Sequence, residues 1–342
     1  MNNKRIFRGD NQKRLDGLKI LPEPPPWREF INKQVREERG KKYQLTDNDD
    51  NNKEIEVVNA AFYLRRPLLI TGKPGTGKSS LAYAVAYELD LGEVLVWPIT
   101  SKSTLQQGLY QYDALARLQD ASLLKSQREA NPSKQGDNSK IEIPDIGTYI
   151  RLGPLGTAFL TSKPQKPRVL LIDEIDKSDI DLPNDLLNLF EEGEFEIPEL
   201  SRLPEKVEYQ TIGVCPCDSK TRINVERGRV RCEAFPLVIM TSNAERDFPP
   251  AFLRRCLRLH LKPPSKEKLK DIVRERLSPG SEHQQQVDAL LEEFLKQRDT
   301  KKKEIATDQL LNAVYLVMQN INPMDKELLR QTIFQTLSEG QP

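Results

Sequence analysis

Residues 72–79 read Gly72-Lys73-Pro74-Gly75-Thr76-Gly77-Lys78-Ser79. An apolar run, Pro67-Leu68-Leu69-Ile70-Thr71, precedes them, and a helix-forming run from Ser80 to Leu89 follows. A strand, a glycine-rich loop and a helix in this order are the context that a phosphate-binding P-loop requires. Glycines let backbone N–H groups turn toward phosphates, Lys78 supplies a charge for the β- and γ-phosphates, and Ser79 supplies a hydroxyl for Mg²⁺. We therefore predict a site for a nucleoside triphosphate and Mg²⁺.

The composition is that of a folded, charge-balanced chain. Its 342 residues include 52 Lys and Arg against 51 Asp and Glu, so the net charge is +1. A chain this close to neutrality has no global field for holding nucleic acid or an anionic membrane surface. The first ten residues contain no apolar signal-like run, and no later run has the length of a membrane span. We expect a cytoplasmic protein that does not bind membranes.

Five apolar runs predict the strands of one parallel sheet. They are residues 67–71, 93–97, 168–176, 237–243 and 257–261. Several of these runs end in polar residues, at the carboxyl edge where α/β sheets hold ligands. After Pro263-Pro264 the pattern is purely helical, with helices expected at 267–277, 281–298, 307–319 and 326–337.

The expected fold is therefore α/β, with a five-stranded parallel sheet and a C-terminal all-helical domain. The predicted boundaries are 1–53 for an N-terminal extension, 54–262 for the α/β core and 263–342 for the helical domain.

The segments between the strands carry further expectations. Pro22–Arg28 predicts a stiff extended arm, laid over the domain or a neighbouring subunit, or alternatively a disordered leader. Residues 47–52 are expected to form a loop before a helix at 54–66. Residues 105–124 are expected to form one long helix, followed by a polar surface insertion at 126–140. Residues 191–235 are rich in turns and short alternating runs and are expected to form an inserted hairpin. A helix with proline in its first turn is expected from Gly153 to Leu160.

A second chemical motif is the run Val169-Leu170-Leu171-Ile172-Asp173-Glu174, which ends in two acids. A hard cation prefers a carboxylate at such a strand tip, and phosphoryl transfer needs a second acid to orient water. With residues 72–79, this run resembles the Walker A and Walker B motifs of AAA+ ATPases. From about Glu54 onward the chain resembles the MoxR-type branch of that superfamily. The two insertions lie where this branch carries its own, and such loops would line the pore of a ring.

The resemblance implies roles for individual residues. It assigns Asp173 with Ser79 to Mg²⁺, Glu174 to polarising the attacking water, and Asn243 to sensor 1, an amide that contacts the γ-phosphate. It assigns Arg255, with Arg254 as a second contact, to an arginine finger that enters a neighbouring subunit's site. The residues expected to bind ATP are Gly72, Lys73, Pro74, Gly75, Thr76, Gly77, Lys78, Ser79 and Ser80, and Lys78 is also counted as catalytic. One feature departs from the pattern, because no arginine opens the third helix of the C-terminal domain, where many relatives carry sensor 2.

The resemblance also implies an activity and partners. We expect an ATP-hydrolysing, chaperone-like ring oligomer, a hexamer, that remodels or activates a protein client, with a von Willebrand A-type protein as one candidate. Two alternatives are an ATP-controlled switch or scaffold in a bacterial conflict system and a nucleic-acid motor. The near-neutral charge argues against the motor.

Four cysteines raise the question of a metal. Cys215, Cys217 and Cys232 could meet in a hairpin, but a structural zinc site needs four ligands, and the fourth would have to be Cys256. We favour unliganded cysteines in a reducing compartment.

Overall fold

The computed structural model of the chain describes residues 21–28, 40–41, 43, 48–130, 145–204, 210–300, 305–321 and 331–334. The chain divides into two compact units. The larger one, here called the α/β unit, consists of Leu45–Lys73 and Gly77–Pro263. The other, here called the helical unit, consists of Met1–Gln44, Pro74–Thr76 and Pro264–Pro342.

The described strands are, in chain order, β1 (Leu68–Thr71), β2 (Leu95–Pro98), β3 (Tyr110–Tyr112), β4 (Ile150–Leu152), β5 (Val169–Asp173), β6 (Glu194–Glu196), β7 (Thr211–Val214), β8 (Ile223–Glu226), β9 (Arg229–Arg231), β10 (Leu237–Ser242) and β11 (Leu257–His260). The described α-helices are α1 (Asn48–Leu64), α2 (Lys78–Glu88), α3 (Leu105–Leu109), α4 (Ala114–Ala130), α5 (Pro154–Thr161), α6 (Leu182–Glu192), α7 (Pro198–Ser201), α8 (Pro250–Arg255), α9 (Lys266–Leu277), α10 (Gln284–Leu295) and α11 (Thr307–Met318).

The α/β unit is built on a five-stranded sheet in the order β11-β1-β10-β5-β2. Every neighbouring pair is parallel, which confirms the predicted sheet. All six residues of β10 and the first four of β5 are buried, because a parallel sheet covered on both faces needs apolar strands throughout. β1, β10 and β5 are adjacent, so their carboxyl ends meet at one edge of the sheet. This edge holds the loop after Thr71, Asp173 and the residue after Ser242.

The first helix corrects an expectation. Residues 48–52 were expected to lie in a loop, yet α1 begins at Asn48 and runs to Leu64. Acidic residues are favourable in the first turn of a helix, because they oppose the positive end of its dipole. The acidic, amide-rich composition of this segment is therefore compatible with a helix start.

The expected long helix at 105–124 is also wrong. The chain instead forms α3, then β3, then α4, because β3 pairs antiparallel with β4, as in Tyr110↔Leu152. Gly108 marks the end of α3, where a Cβ would meet the ring of Trp97 at 2.5 Å. α4 continues to Ala130, so the polar insertion begins later than expected, and its remainder lies outside the described residues.

The segment from 191 to 235 is larger than the expected hairpin. It contributes four antiparallel strands in the order β6-β9-β8-β7. β8 and β9 form a true hairpin, whose two-residue turn has left-handed φ angles of 47° at Arg227 and 72° at Gly228. Such a turn matches the twist of the flanking strands. The expected helix after Gly153 is confirmed, with Pro154 at its first position.

The helical unit contains α9, α10 and α11, which pack around buried side chains such as Leu290 and Val314. Trp27 of the proline-rich arm lies against this core, in edge contact with Tyr315 at 6.3 Å between ring centroids. The Tyr315 hydroxyl donates a hydrogen bond to the carbonyl of Glu23. The arm therefore lies on this unit of its own chain. The fourth expected helix, at 326–337, lies mostly outside the described residues.

Within the described part of the chain, no helix combines the length and the apolar composition needed to cross a bilayer.

Candidate active site

The loop between β1 and α2 has the backbone that a phosphate cradle needs. Gly75 has φ 77° and Gly77 has φ 92°, in the left-handed region that favours glycine. Gly77 is followed directly by α2, so the loop ends at the N-terminus of an 11-residue helix. Backbone N–H groups at such a terminus attract anions. All the residues expected to bind ATP, 72–80, therefore lie in one connection from strand to helix.

Lys78 is the most enclosed charge of this loop, with 8% of its surface exposed. Its ammonium group donates hydrogen bonds to Gly72 O at 2.7 Å, Lys73 O at 3.0 Å and Asn243 Oδ1 at 2.8 Å. Burial lowers the pKa of Lys78, and nearby carboxylates, Asp176 foremost, oppose this shift. The ammonium thus lies between the phosphate loop and the tip of β10.

Ser79 and Asp173 form an oxygen-rich pair below the loop. The Ser79 hydroxyl donates to Asp173 Oδ1 at 2.7 Å, and the Thr241 hydroxyl donates to the same oxygen at 2.6 Å. Hydroxyl and carboxylate oxygens are the ligands that Mg²⁺ prefers. The two residues predicted to hold Mg²⁺ therefore lie together with suitable chemistry.

Glu174 stands at the end of β5 in an unusual conformation. Its φ is 61°, a left-handed value that is strained for a residue with a Cβ. Its N–H donates to Thr241 Oγ1 at 2.9 Å, and its carboxylate accepts a hydrogen bond from Lys177 Nζ at 2.7 Å. That bond raises the pKa of Lys177. Strain of this kind clusters at functional sites, where the surrounding structure maintains it.

Asn243 follows β10 and connects two parts of the site. Its side-chain oxygen accepts from Lys78, and its backbone N–H donates to Asp176 Oδ2 at 2.9 Å. Asp176 lies three residues after Asp173. The amide predicted as sensor 1 is thus in contact with the Walker A lysine.

Comparison with protein families identifies the family of the chain. The profile of the AAA domain (dynein-related subfamily) matches residues 67–256, more than half of the chain. The chain belongs to this family. The AAA domain match begins at the residue before β1 and ends just after α8, so it includes both Walker motifs, Asn243 and the arginine pair.

Solved structures that are similar to the chain include PCH-2 from C. elegans, with a TM-score of 0.42, 12% identity, and coverage of 87% of this chain and 72% of that one. NtrX from Brucella abortus in complex with ATP has a TM-score of 0.34 and 12% identity, with 81% of this chain and 52% of that chain covered. The NtrX complex with ADP gives 0.34 and 12%, with 84% and 53% covered. The chain spans about half the length of the NtrX chains. Among curated proteins, none matches the chain. The family assignment rests on the AAA domain profile.

In this AAA domain the two candidate finger arginines end α8. The Arg255 guanidinium forms an ion pair with Glu191, and Arg254 is exposed. Arg66 donates to the carbonyl of Arg255 at 3.0 Å and also to the carbonyl of Arg254. Within the described part of the chain, neither arginine makes a hydrogen bond or ion pair with residues 72–80, Asp173 or Glu174. Their role in a neighbouring subunit stays a prediction.

Sequence reasoning missed four residues that hold the AAA domain site together: Asp176, Thr241, Lys177 and Arg66. One signal was available, because Thr241 is the first polar residue after the apolar run Leu237–Met240 of β10. It is completely buried.

The cysteines do not gather. All four are free thiols, and among the described residues no group of three or more His, Cys, Asp or Glu side chains has a metal-binding arrangement. Burial raises the pKa of Cys256 to about 12, and it also raises those of Cys217 and Cys232.

Proposed function

We propose that this AAA domain protein is a Mg²⁺-dependent, MoxR-type ATPase that works as a ring oligomer, a hexamer, and remodels or activates a protein client. The observation that carries the proposal is a pair of hydrogen-bonded groups at the carboxyl edge of β1, β10 and β5. One group joins Lys78 to Asn243, and the other joins Asp173 to Glu174 through Thr241.

The residues at this edge have roles in phosphoryl transfer. The amides of the Walker A loop and the ammonium of Lys78 bind the β- and γ-phosphates. Ser79 and Asp173 hold Mg²⁺, which, when bound, neutralises charge on the phosphate oxygens. Glu174 orients the attacking water and accepts its proton, and Asn243 donates to the γ-phosphate. Arg255 of a neighbouring subunit offsets charge that develops during transfer.

The protein client is supported by an exposed apolar face. Three leucines of α4 have most of their surface in solvent: Leu115 (64%), Leu118 (65%) and Leu123 (60%). Exposed apolar side chains gathered on one helix are typical of protein contact surfaces. This face belongs to the region expected to line the pore. A client, rather than nucleic acid, is therefore the partner that we propose.

The test measures nucleotide binding and phosphate release separately. Lys78→Ala should abolish ATP binding, whereas Glu174→Gln should bind ATP and fail to hydrolyse it. Two exposed residues provide matched controls: Lys125→Ala and Glu88→Gln should behave like the wild type. Unchanged ATP affinity in Lys78→Ala would refute the assigned loop, and full turnover in Glu174→Gln would refute the assigned base. Size measurement of Glu174→Gln with ATP tests the ring, because the trapped form should run as a hexamer.

A further inference from the structure

Asp176 is a buried carboxylate beside the site, and none of the sequence motifs gives it a role. It lies in the 3₁₀ turn Ile175–Lys177 after β5, and 6% of its surface is exposed. Its Oδ2 accepts the backbone N–H of Asn243 at 2.9 Å and that of Glu245 at 3.2 Å. Ala244, between these two amides, has a left-handed φ of 61°. One carboxylate oxygen thus holds a strained three-residue turn at the end of β10.

The carboxylate of Asp176 is only partly satisfied. Burying an ionised group is unfavourable unless its polar atoms are paired. The second oxygen of Asp176, Oδ1, is buried and has no hydrogen-bond partner among the described residues. An asparagine could accept the same two amides without a buried charge. The two backbone amides at Oδ2 are therefore the contacts that Asp176 makes at this position, and they belong to the turn after β10.

The turn that Asp176 holds carries the amide of the active site. The side chain of Asn243 accepts from Lys78 Nζ at 2.8 Å, while its backbone is bonded to Asp176. A displacement of the Asn243 backbone would therefore move its side chain away from Lys78 and from the site of the phosphates. Misplacement of a reacting group by about 1 Å can lower the rate about 100-fold.

We propose that Asp176 is a positioning residue, whose carboxylate fixes the backbone of Asn243 and Glu245 and thereby holds the Asn243 amide against Lys78. It acts through Asn243 and not through a contact of its own with the nucleotide. The inference rests on the proposed ATPase function, and it adds a residue that links the Walker B strand tip to sensor 1.

The first test is kinetic. Asp176→Ala should lower kcat about 100-fold and leave the KM for ATP within about threefold, because the amide matters for the transferring phosphate more than for ground-state binding. Asp176→Asn keeps an acceptor oxygen and should retain kcat within about tenfold of the wild type. Asp176→Ala should lower kcat no further when Asn243 is already alanine, since both changes remove one interaction. Asp185→Ala, at an exposed aspartate of α6, is the matched control.

The second test needs no hydrolysis. Hydrogen exchange in the peptide that contains residues 241–247 should accelerate in Asp176→Ala and stay near the wild-type rate in Asp176→Asn. If the wild-type protein had no ATPase activity, the proposed function would be refuted. The exchange difference between Asp176→Ala and the wild type would still test whether Asp176 holds the turn. Unchanged exchange and unchanged kcat in Asp176→Ala would overturn the role of Asp176. Should Asp176→Ala not fold, a loss of kcat in Asp176→Asn as large as that in Asn243→Ala would overturn it, and retained kcat would support it.

Discussion

Replacing Thr241 by valine removes a single hydroxyl from the centre of the site and changes little else. Valine has nearly the same shape as threonine, and position 241 is completely buried in β10. The hydroxyl makes two bonds, accepting from Glu174 N and donating to Asp173 Oδ1. Thr241→Val therefore leaves the Glu174 N–H without an acceptor, whereas Asp173 Oδ1 keeps its bond from Ser79.

The size of the effect follows from these bonds. A buried donor left unpaired costs about 1–3 kcal/mol, and a lost bond to a carboxylate adds about 1.5–3 kcal/mol, part of which Ser79 offsets. We expect a loss of about 2–4 kcal/mol in the free energy of unfolding. Glu174 is also released from the partner that maintains its left-handed φ. If about 2 kcal/mol of positioning is lost from the transition state, kcat falls about 30-fold, since about 1.4 kcal/mol corresponds to a factor of ten.

The assay combines steady-state ATP hydrolysis, ATP binding and denaturant unfolding. Thr241→Ser keeps the hydroxyl and should stay within about threefold of the wild-type kcat, while ATP affinity should be unchanged in both variants because residues 72–80 are untouched. Thr211→Val, on the exposed end of β7, controls for the substitution itself. Wild-type kcat in Thr241→Val, with the protein folded, would show that the hydroxyl does not position Glu174 and would refute the reasoning.

Three further predictions concern the wider site. Mixing Arg255→Ala subunits with Glu174→Gln subunits should restore some ATP turnover, because each subunit supplies what its neighbour lacks; no recovery at any mixing ratio would count against a finger acting between subunits. Burial raises the pKa of Cys256 to about 12, so its thiol should resist iodoacetamide at pH 8 in the native protein and react after denaturation. Peptide mass spectrometry measures both rates, and equal rates in the two states would contradict its burial. The pKa of Lys78 is lowered, so its ammonium is present below that pKa and is lost as the pH rises through it. As the pH is raised, the affinity for ATP should therefore begin to decrease before pH 10.5 is reached. A dissociation constant that stays constant up to pH 10.5 would contradict the shift.

The groups expected to meet the nucleotide could be predicted because their spacing is local. Lys78 and Ser79 lie in one short loop, and Asp173 and Glu174 end one apolar strand. Each group is fixed by a strand, a turn or a helix start that the sequence shows directly. The carboxyl edge of a parallel sheet then brings them together, and the structure places Ser79 at 2.7 Å from Asp173.

The prediction of one long helix at 105–124 was wrong because the contact that decides this segment is distant along the chain. Tyr110–Tyr112 pair with Ile150–Leu152, about forty residues later in the chain. No residue of the helical pattern indicates that this distant strand is its partner. Helical spacing of apolar residues cannot exclude a three-residue strand, since a short run fits both periods. The same limit applies to residues 191–235, where a hairpin was predicted and the structure has the four-stranded sheet β6-β9-β8-β7.

Three of the four residues that hold the site in place escaped prediction because they bind the backbone. Thr241 accepts from the N–H of Glu174, Asp176 accepts from the N–H of Asn243, and Arg66 donates to the carbonyl of Arg255. A backbone amide or carbonyl is the same for every residue type, so such a bond leaves no pattern in its partner's sequence.

Their partners are also distant along the chain, by 67 positions for both Thr241 and Asp176 and by 189 for Arg66. Arg66 immediately precedes Pro67 and β1, the strand that ends in the Walker A loop. The helix that carries the candidate finger is therefore bonded twice to the residue that leads into β1, and Leu257 N adds a third bond, to Pro67 O at 2.9 Å. If Arg255 acts on a neighbour's nucleotide, these three bonds and the pairing of β11 with β1 connect one subunit's phosphate loop to the next subunit's site.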